Sequence, residues 1–290
     1  MSRKVIYTVP EGYDGAKLQS FLRVGQGYSA RLITKLKKEP DGIMLNGEPA
    51  RSIDLLKAGD TLEINFPEDK KEGVSIPVEM PLDILYEDED LIVLNKPAML
   101  AVHESHNHLG DTLSNAVSYH LSRQGKTSVF RAVGRLDKGT SGIMVLALSR
   151  YAASALGGKI SKQYLAVASG CFEGSGTIDR PIYRPDPIIT LRTVDERGVR
   201  AVTHWEALKT DGKATLLRIK LETGRTHQIR VHFASLGAPL IGDTMYGKPD
   251  ERICHQALHC ESCSFIHPIT KKETVLSAPP PEDFKSVIPL

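Results

Sequence analysis

Little in this chain marks it as secreted, membrane-embedded or built around a metal. Four cysteines in 290 residues, Cys171, Cys254, Cys260 and Cys263, are too few and too unevenly spaced for an extracellular disulfide framework. No apolar run approaches the roughly 18 residues that a membrane-spanning helix needs. The opening MSRKVIYTVPEGYDG lacks the apolar core and small-residue cleavage site of a secretory leader. A cytoplasmic location with no membrane partner is therefore expected. Charge of one sign is scarce too: 37 Lys and Arg against 35 Asp and Glu leave a net +2. A polyanionic partner would have to be met by clustered cations, not by a basic average. Cys260 and Cys263 make one C-x-x-C pair with His255, His259 and His267 around it, but no second pair stands at a finger-like distance. Free thiols acting as small apolar side chains are expected there, and no metal site. There is also no glycine-rich phosphate loop.

What is present reads as an ordinary globular chain, 41% hydrophobic and 25% charged, long enough for one large domain and one small one. Residues 1–66 form the small unit. Leu18, Phe21 and Leu22 share one face of a short helix. Ser29 is placed to cap a second helix running to Lys38. On that helix Leu32 and Leu36 form an apolar row, and Arg31, Lys35 and Lys38 a separate basic one. An Asn46-Gly47 turn, a Gly59-Asp60 turn and the run Leu62–Phe66 predict a small β element. Residues 67–80, charged and bounded by proline, read as a linker, and residues 81–290 as the main domain.

In the main domain Leu91–Leu94 and Ile143–Leu148 predict buried strands, and Leu217, Ile219 and Leu221 a half-buried one. Leu113, Ala116, Val117, His120 and Leu121 recur as on an amphipathic helix. Gln228–Leu236 predicts another helix, stopped by Gly237. Strands and helices do not alternate, which argues for an α+β fold over a doubly wound parallel sheet.

The segment Ala132–Leu148, AVGRLDKGTSGIMVLAL, concentrates the chemistry. Arg135, Asp137 and Lys138 stand in a Gly/Thr/Ser turn immediately before the buried-strand pattern. A carboxylate lodged between cations beside a buried strand fits a positioned, ionised nucleophile, and it equally fits a structural ion pair between Asp137 and Arg135.

That segment resembles the signature of the RluA-type pseudouridine synthases, roughly H-R-L-D-x-x-T-S-G, with Gly134 in place of the family's histidine. Further elements occur in the family's order: Leu94–Pro97, Lys162–Ala166, Thr223–His232, Gly242-Asp243 with Tyr246-Gly247, and Ala257–His259 with His267-Pro268. The N-terminal residues are similar to a small RNA-binding domain named after a ribosomal small-subunit protein. The loop His103–His108 departs from the family's pattern.

The resemblance implies an α+β catalytic domain with a mixed, mostly antiparallel sheet flanked by helices. It implies an isomerase that turns uridine into pseudouridine in RNA. The expected RNA is 23S ribosomal RNA, with transfer RNA the other candidate. The net chemistry has no redox step and no departing group, so no cofactor is expected, and a monomer is the default. By resemblance, Asp137 supplies the carboxylate, with attack on the uracil ring or on the ribose left open. Arg230 is its partner, with Arg225 the runner-up, because an Arg fork can grip a carboxylate bidentately and stays charged when dried. Tyr164 would stack on the uracil and offer a hydroxyl for proton transfer. Arg135, Arg225, His227 and Gln228 are expected at the RNA, with His227 and Gln228 mainly supporting Arg230. Arg31, Lys35, Lys38 and Lys96 are expected phosphate contacts, with Lys138 another candidate. A non-catalytic RNA-binding protein of the same fold is the alternative.

Overall fold

The computed structural model describes residues 3–66, 74–105, 108–127 and 129–288. One large sheet dominates. Its strands run in the order Ser175–Asp179, Val202–Thr210, Ala214–Leu221, Ser161–Ser169, Leu258–Ile266, Ser141–Ala147, Leu91–Lys96 and Ile84–Glu87. Ala132–Val133 pairs with Ser141–Ala147, and Glu273–Ser277 with Leu258–Ile266. Neighbours are antiparallel except for Leu258–Ile266 against Ser141–Ala147, which is parallel. With few helices, this is the α+β class that the irregular strand pattern predicts.

The continuous apolar run of Ser141–Ala147 has its cause in this arrangement. All seven residues are buried, because the strand lies inside the sheet and both of its faces are covered. Ile143, Met144, Val145 and Leu146 are each at most 1% exposed. Side chains of this kind contribute about 1.5–3 kcal/mol each on burial. Ala214–Leu221 alternates instead, with Leu217 and Ile219 inside. The helix Leu113–Arg123 buries Leu113, Ala116, Val117 and Leu121, while His120 sits at its rim against Glu87, 2.8 Å away. Gln228–Ser235 is helical and is followed by Gly237 at φ +74°.

The parallel contact depends on one glycine. Gly142 lies opposite Cys260 at φ +103°, and a Cβ at this position would overlap the Cys260 backbone. Only glycine lets the two strands approach in this register.

Strands Arg3–Thr8, Thr61–Phe66, Ile43–Leu45 and Glu48–Pro49 form a second sheet, in the order 1, 4, 2, 3 along the chain. Asn46 and Gly47 carry φ of +53° and +88°, the conformation of a two-residue hairpin turn. Ser29 caps the helix Ala30–Leu36 by accepting from the Leu32 amide at 3.2 Å. That helix ends earlier than its apolar spacing predicts. Lys38 stands in the following turn, where its amide bonds Lys35 O at 3.0 Å, so the basic row does not continue on one helical face. The core of this unit extends onto the main domain through Tyr151, whose ring centroid lies 5.4 Å from Tyr28 and 5.1 Å from Phe66. The Tyr7 hydroxyl donates to Tyr151 Oη at 3.3 Å, and Tyr151 donates to Pro268 O at 2.9 Å.

Of the segment expected to be a linker, residues 67–73 lie outside the described residues. The rest is held against the helix Leu113–Arg123. Ser118 Oγ donates to Ser75 O at 2.7 Å and Asn115 Nδ2 to Ile76 O at 2.8 Å. Its backbone carbonyls therefore find partners on the protein, which a free linker's would seek in water.

Candidate active site

A cavity of about 580 Å³ is lined by Arg135, Asp137, Lys162, Tyr164, Arg225 and Arg230, among others, and three segments set its central charges. The turn before Ser141–Ala147 carries Asp137, closed by the Thr140 amide on Asp137 O at 3.0 Å. The start of the helix Gln228–Ser235 carries Arg230. The turn after Leu240 carries Asp243, whose side chain is fully buried.

Arg230 joins the two carboxylates. Its Nη1 donates to Asp137 Oδ2 at 3.2 Å. Its bidentate grip is on Asp243, with Nε to Oδ2 at 2.7 Å and Nη2 to Oδ1 at 2.8 Å. Asp137 is thus the singly held partner, where the sequence argument has the fork gripping it. The reason is geometric: Asp243 offers both oxygens edge-on to the guanidinium. Burial opposes the charge on Arg230, but the hydrogen bonds and charge of Asp243, then of Asp137, outweigh it and hold the pKa above its ordinary value. Tyr246 lies with its ring centroid 5.0 Å from the same guanidinium. One carboxylate therefore fixes the arginine and leaves the other, 15% exposed at its side chain, open to the cavity.

His227 precedes this helix in the left-handed region, φ +57°. Its Nδ1 is 2.8 Å from Tyr246 Oη and its Nε2 is 3.8 Å from Asp137 Oδ2. Burial lowers its pKa, opposed by Asp137 and reinforced by the surrounding arginines, so the ring is neutral near pH 7. Tyr164 comes from the strand Ser161–Ser169 and is 7% exposed. Burial pushes its pKa well up, helped by Cys260 and Asp137, so the hydroxyl keeps its proton. Within this chain it is a hydrogen-bond donor and an aromatic face. It is not an ionised base.

The other expected contacts divide into rim and interior. Arg135 is exposed, with Nη1 on Thr226 Oγ1 at 3.2 Å. Arg225 is exposed and donates to Arg200 O at 3.1 Å, so it is not the partner of Asp137. Gln228, expected at the RNA, is 3% exposed. Its amide donates to Val202 O and Thr203 Oγ1 at 2.9 and 3.0 Å and accepts from Thr223 Oγ1 and the Arg225 amide at 2.8 and 3.0 Å. Those four bonds use an amide's ordinary capacity, which makes Gln228 an internal brace.

Lys96 is corrected more sharply. It is fully buried, and its ammonium donates to Pro97 O, Leu100 O and Lys138 O at 2.8, 3.0 and 3.1 Å. No phosphate can reach it. It ends a strand whose residues Leu91–Leu94 are inside, and it ties the Pro97–Leu100 loop to the Asp137 turn. Burial pushes its pKa down to about 7, with the charge of Asp137 acting against that. Arg31, Lys35 and Lys38 are exposed on the N-terminal unit, and Lys138 is exposed with Nζ 3.3 Å from His108 Nε2. Part of the His103–His108 loop, residues 106 and 107, lies outside the described residues. Among the described residues no group of His, Cys, Asp and Glu is arranged to hold a metal ion, and no helix is long and apolar enough to cross a membrane.

From sequence, Asp243 stands only within the Gly242-Asp243 motif, with no role of its own. A single Asp after a glycine looks like a turn residue. The available signal is indirect: a buried arginine beside a carboxylate that stays partly open needs a second negative charge to hold it.

An α+β framework without regular strand–helix alternation thus holds an Asp–Arg–Asp chain at the wall of a cavity. Residues 90–235 match the model of the RNA pseudouridylate synthase family, and the chain belongs to that family. It is 41% identical over 269 residues to the uncharacterized RNA pseudouridine synthase YjbO of Bacillus subtilis, covering 90% of this chain and 95% of that one. It is 37% identical over 268 residues to ribosomal large subunit pseudouridine synthase D of Haemophilus influenzae, covering 81% and 82%. Among solved structures, human RNA pseudouridylate synthase domain containing 1 superposes with a TM-score of 0.57 at 26% identity, covering 69% and 84%. The protein is accordingly an isomerase converting uridine to pseudouridine in RNA.

Proposed function

We propose that the chain modifies uridines of 23S ribosomal RNA and that Asp137 is its nucleophile. The observation that carries the second part is the Asp137–Arg230 contact, 3.2 Å, at the wall of the cavity. A carboxylate held by one nitrogen of an arginine that is itself anchored elsewhere keeps an oxygen open to the cavity. The target uridine leaves its stack at a cost of a few kcal/mol, and the base enters against the Tyr164 ring. The bond from N1 to the ribose breaks, the base turns, and C5 joins the ribose. The Asp137 carboxylate bonds to the uracil ring or to the ribose C1′ in this sequence and is expelled again by the time C5 holds C1′, while the C5 proton passes to solvent and N1 regains one. Tyr164, protonated throughout, stacks and donates. Arg135 and Arg225 contact the RNA at the rim. Residues 1–66 act as an RNA-binding unit through Arg31, Lys35 and Lys38, and residues 81–290 as the catalytic domain. The name of the Haemophilus influenzae relative supports the large-subunit substrate.

The test maps pseudouridines across all RNA in cells lacking the protein, complemented with wild type or Asp137→Ala. Loss of a 23S site that only wild type restores is the expected result. A lost site in transfer RNA instead overturns the substrate, and restoration by Asp137→Ala overturns the nucleophile.

A further inference from the structure

Among the described strands of the large sheet, the parallel pair Leu258–Ile266 and Ser141–Ala147 shapes the site. Parallel neighbours start at the same end of the sheet, so the residues before one strand meet the residues before the other. Here the register His259 to Ser141 brings Gln256 alongside Gly139 and Thr140, at the end of the catalytic turn. Gln256 is 6% exposed, and its Nε2 donates to Thr140 Oγ1 at 3.0 Å. A Cβ on Gly139 would stand 2.5 Å from Gln256 Oε1, so the amide lies flat against the turn's backbone. The other side of the same segment faces the second carboxylate's turn. The Ala257 amide bonds Ile241 O at 2.8 Å, and a Cβ on Gly242 would overlap His255 O. His255 in turn is fixed by Asp283 of the C-terminal helix Glu282–Lys285, with Nε2 2.9 Å from Oδ2.

From this geometry we infer that Gln256 is a positioning residue that sets the distance between the Asp137 turn and the Asp243-anchored arginine. The segment His255–Ala257 is a wedge between the two turns, and the Gln256–Thr140 hydrogen bond is its contact with the turn that carries the nucleophile. Thr140 lines the cavity beside Asp137, and Gln256 stands behind it. Their effect passes through the Asp137–Arg230 separation, where errors near 1 Å can cost about a hundredfold in rate. The inference rests on Asp137 being the nucleophile.

The experiment uses the purified full chain and an RNA substrate carrying tritium at C5 of uridine, with tritium release giving kcat and KM. Gln256→Met keeps the volume and removes the hydrogen bond. Thr140→Val does the same from the other side, and Thr140→Ser keeps the hydroxyl. Expected are kcat falls of about ten- to a hundredfold in Gln256→Met and Thr140→Val, with KM within about twofold. Thr140→Ser should recover most of the rate, and the double variant Gln256→Met/Thr140→Val should be no slower than the worse single one. Melting temperature is read in parallel, because a merely structural residue would lower it and leave kcat of the folded fraction intact. Unchanged kcat in Gln256→Met overturns the inference, as do multiplicative losses in the double variant. Asp137→Ala in the same assay separates the two claims. If it stays active, the nucleophile reading fails. If it is inactive while Gln256→Met is wild-type, only the positioning role fails.

Discussion

Replacing Asp243 by Asn tests whether the arginine is anchored as the structure has it. The wild-type carboxylate accepts two bonds from Arg230, at 2.7 and 2.8 Å, and two from the amides of Met245 and Tyr246, at 3.0 and 3.2 Å. An Asn can keep Oδ1 for the two amides and Nη2, but its NH2 group then faces Arg230 Nε, donor against donor. At least one charge-assisted bond, about 1.5–3 kcal/mol, is lost. A guanidinium with a 7% exposed side chain also loses half of its counter-charge. Removing one partner from a buried pair typically costs about 3–5 kcal/mol, so Asp243→Asn should fall in that range. At about 2 °C per kcal/mol for a chain of this size, melting should drop by roughly 6–10 °C. The freed arginine then turns to its remaining anion, Asp137, and engages the oxygen proposed to attack. A further 1.4 kcal/mol of ground-state pairing there is tenfold in rate, so kcat should fall at least about tenfold in the folded fraction. Urea melts and tritium release, read on the same preparation, check both numbers. A variant with wild-type melting and wild-type kcat would refute the anchoring argument, and a stability loss with unchanged kcat would refute its link to Asp137.

Gly142→Ala should cost more than about 2 kcal/mol, because alanine is strained at φ +103° and its Cβ overlaps the Cys260 backbone. The added change Cys260→Ala should give no rescue, since the clash is with backbone, and rescue seen in urea melts would show that it is not. Acid should also weaken the fold. Burial lowers the pKa of His227, His232 and His259 below the ordinary 6.5. Between pH 6.5 and those lower values the unfolded chain binds protons that the native one refuses, so stability falls as pH falls. Melting temperature measured from pH 7.5 to 5.5 should decline from about 6.5 downward, and a His232→Gln variant should decline less steeply.

What was legible in the sequence is what local pattern determines. The seven-residue apolar run became the fully covered strand, the Asn46-Gly47 pair became the hairpin turn, and Ser29 became the cap. The Arg230–Asp137 contact was legible through motif order, although its monodentate form was not. Lys96 misled because a lysine beside proline in a polar motif reads as surface, and only the cover on both faces of its strand turns it inward. Asp243 and Gln256 were illegible for a related reason. Gln256 acts across a gap that closes only when the parallel pair forms, and Asp243 is set beside Arg230 by a turn held on Ser161–Ser169, with the Ile241 amide on Val167 O at 2.9 Å; no spacing along the sequence encodes either juxtaposition. Lys38 shows the opposite limit, since helix ends depend on backbone caps more than on side-chain periodicity.

The tyrosine seam has a consequence for how the chain is made. The N-terminal sheet is complete once Phe66 is synthesised, but the face formed by Tyr28 and Phe66 packs on Tyr151, which comes later in the chain. At about 5–20 residues per second, the roughly 85 residues between them take about 4–17 s to emerge. For that interval a folded unit presents an uncovered aromatic surface to its surroundings. A ribosome-bound chain stalled before Tyr151 should therefore be the form of this protein most prone to capture by chaperones.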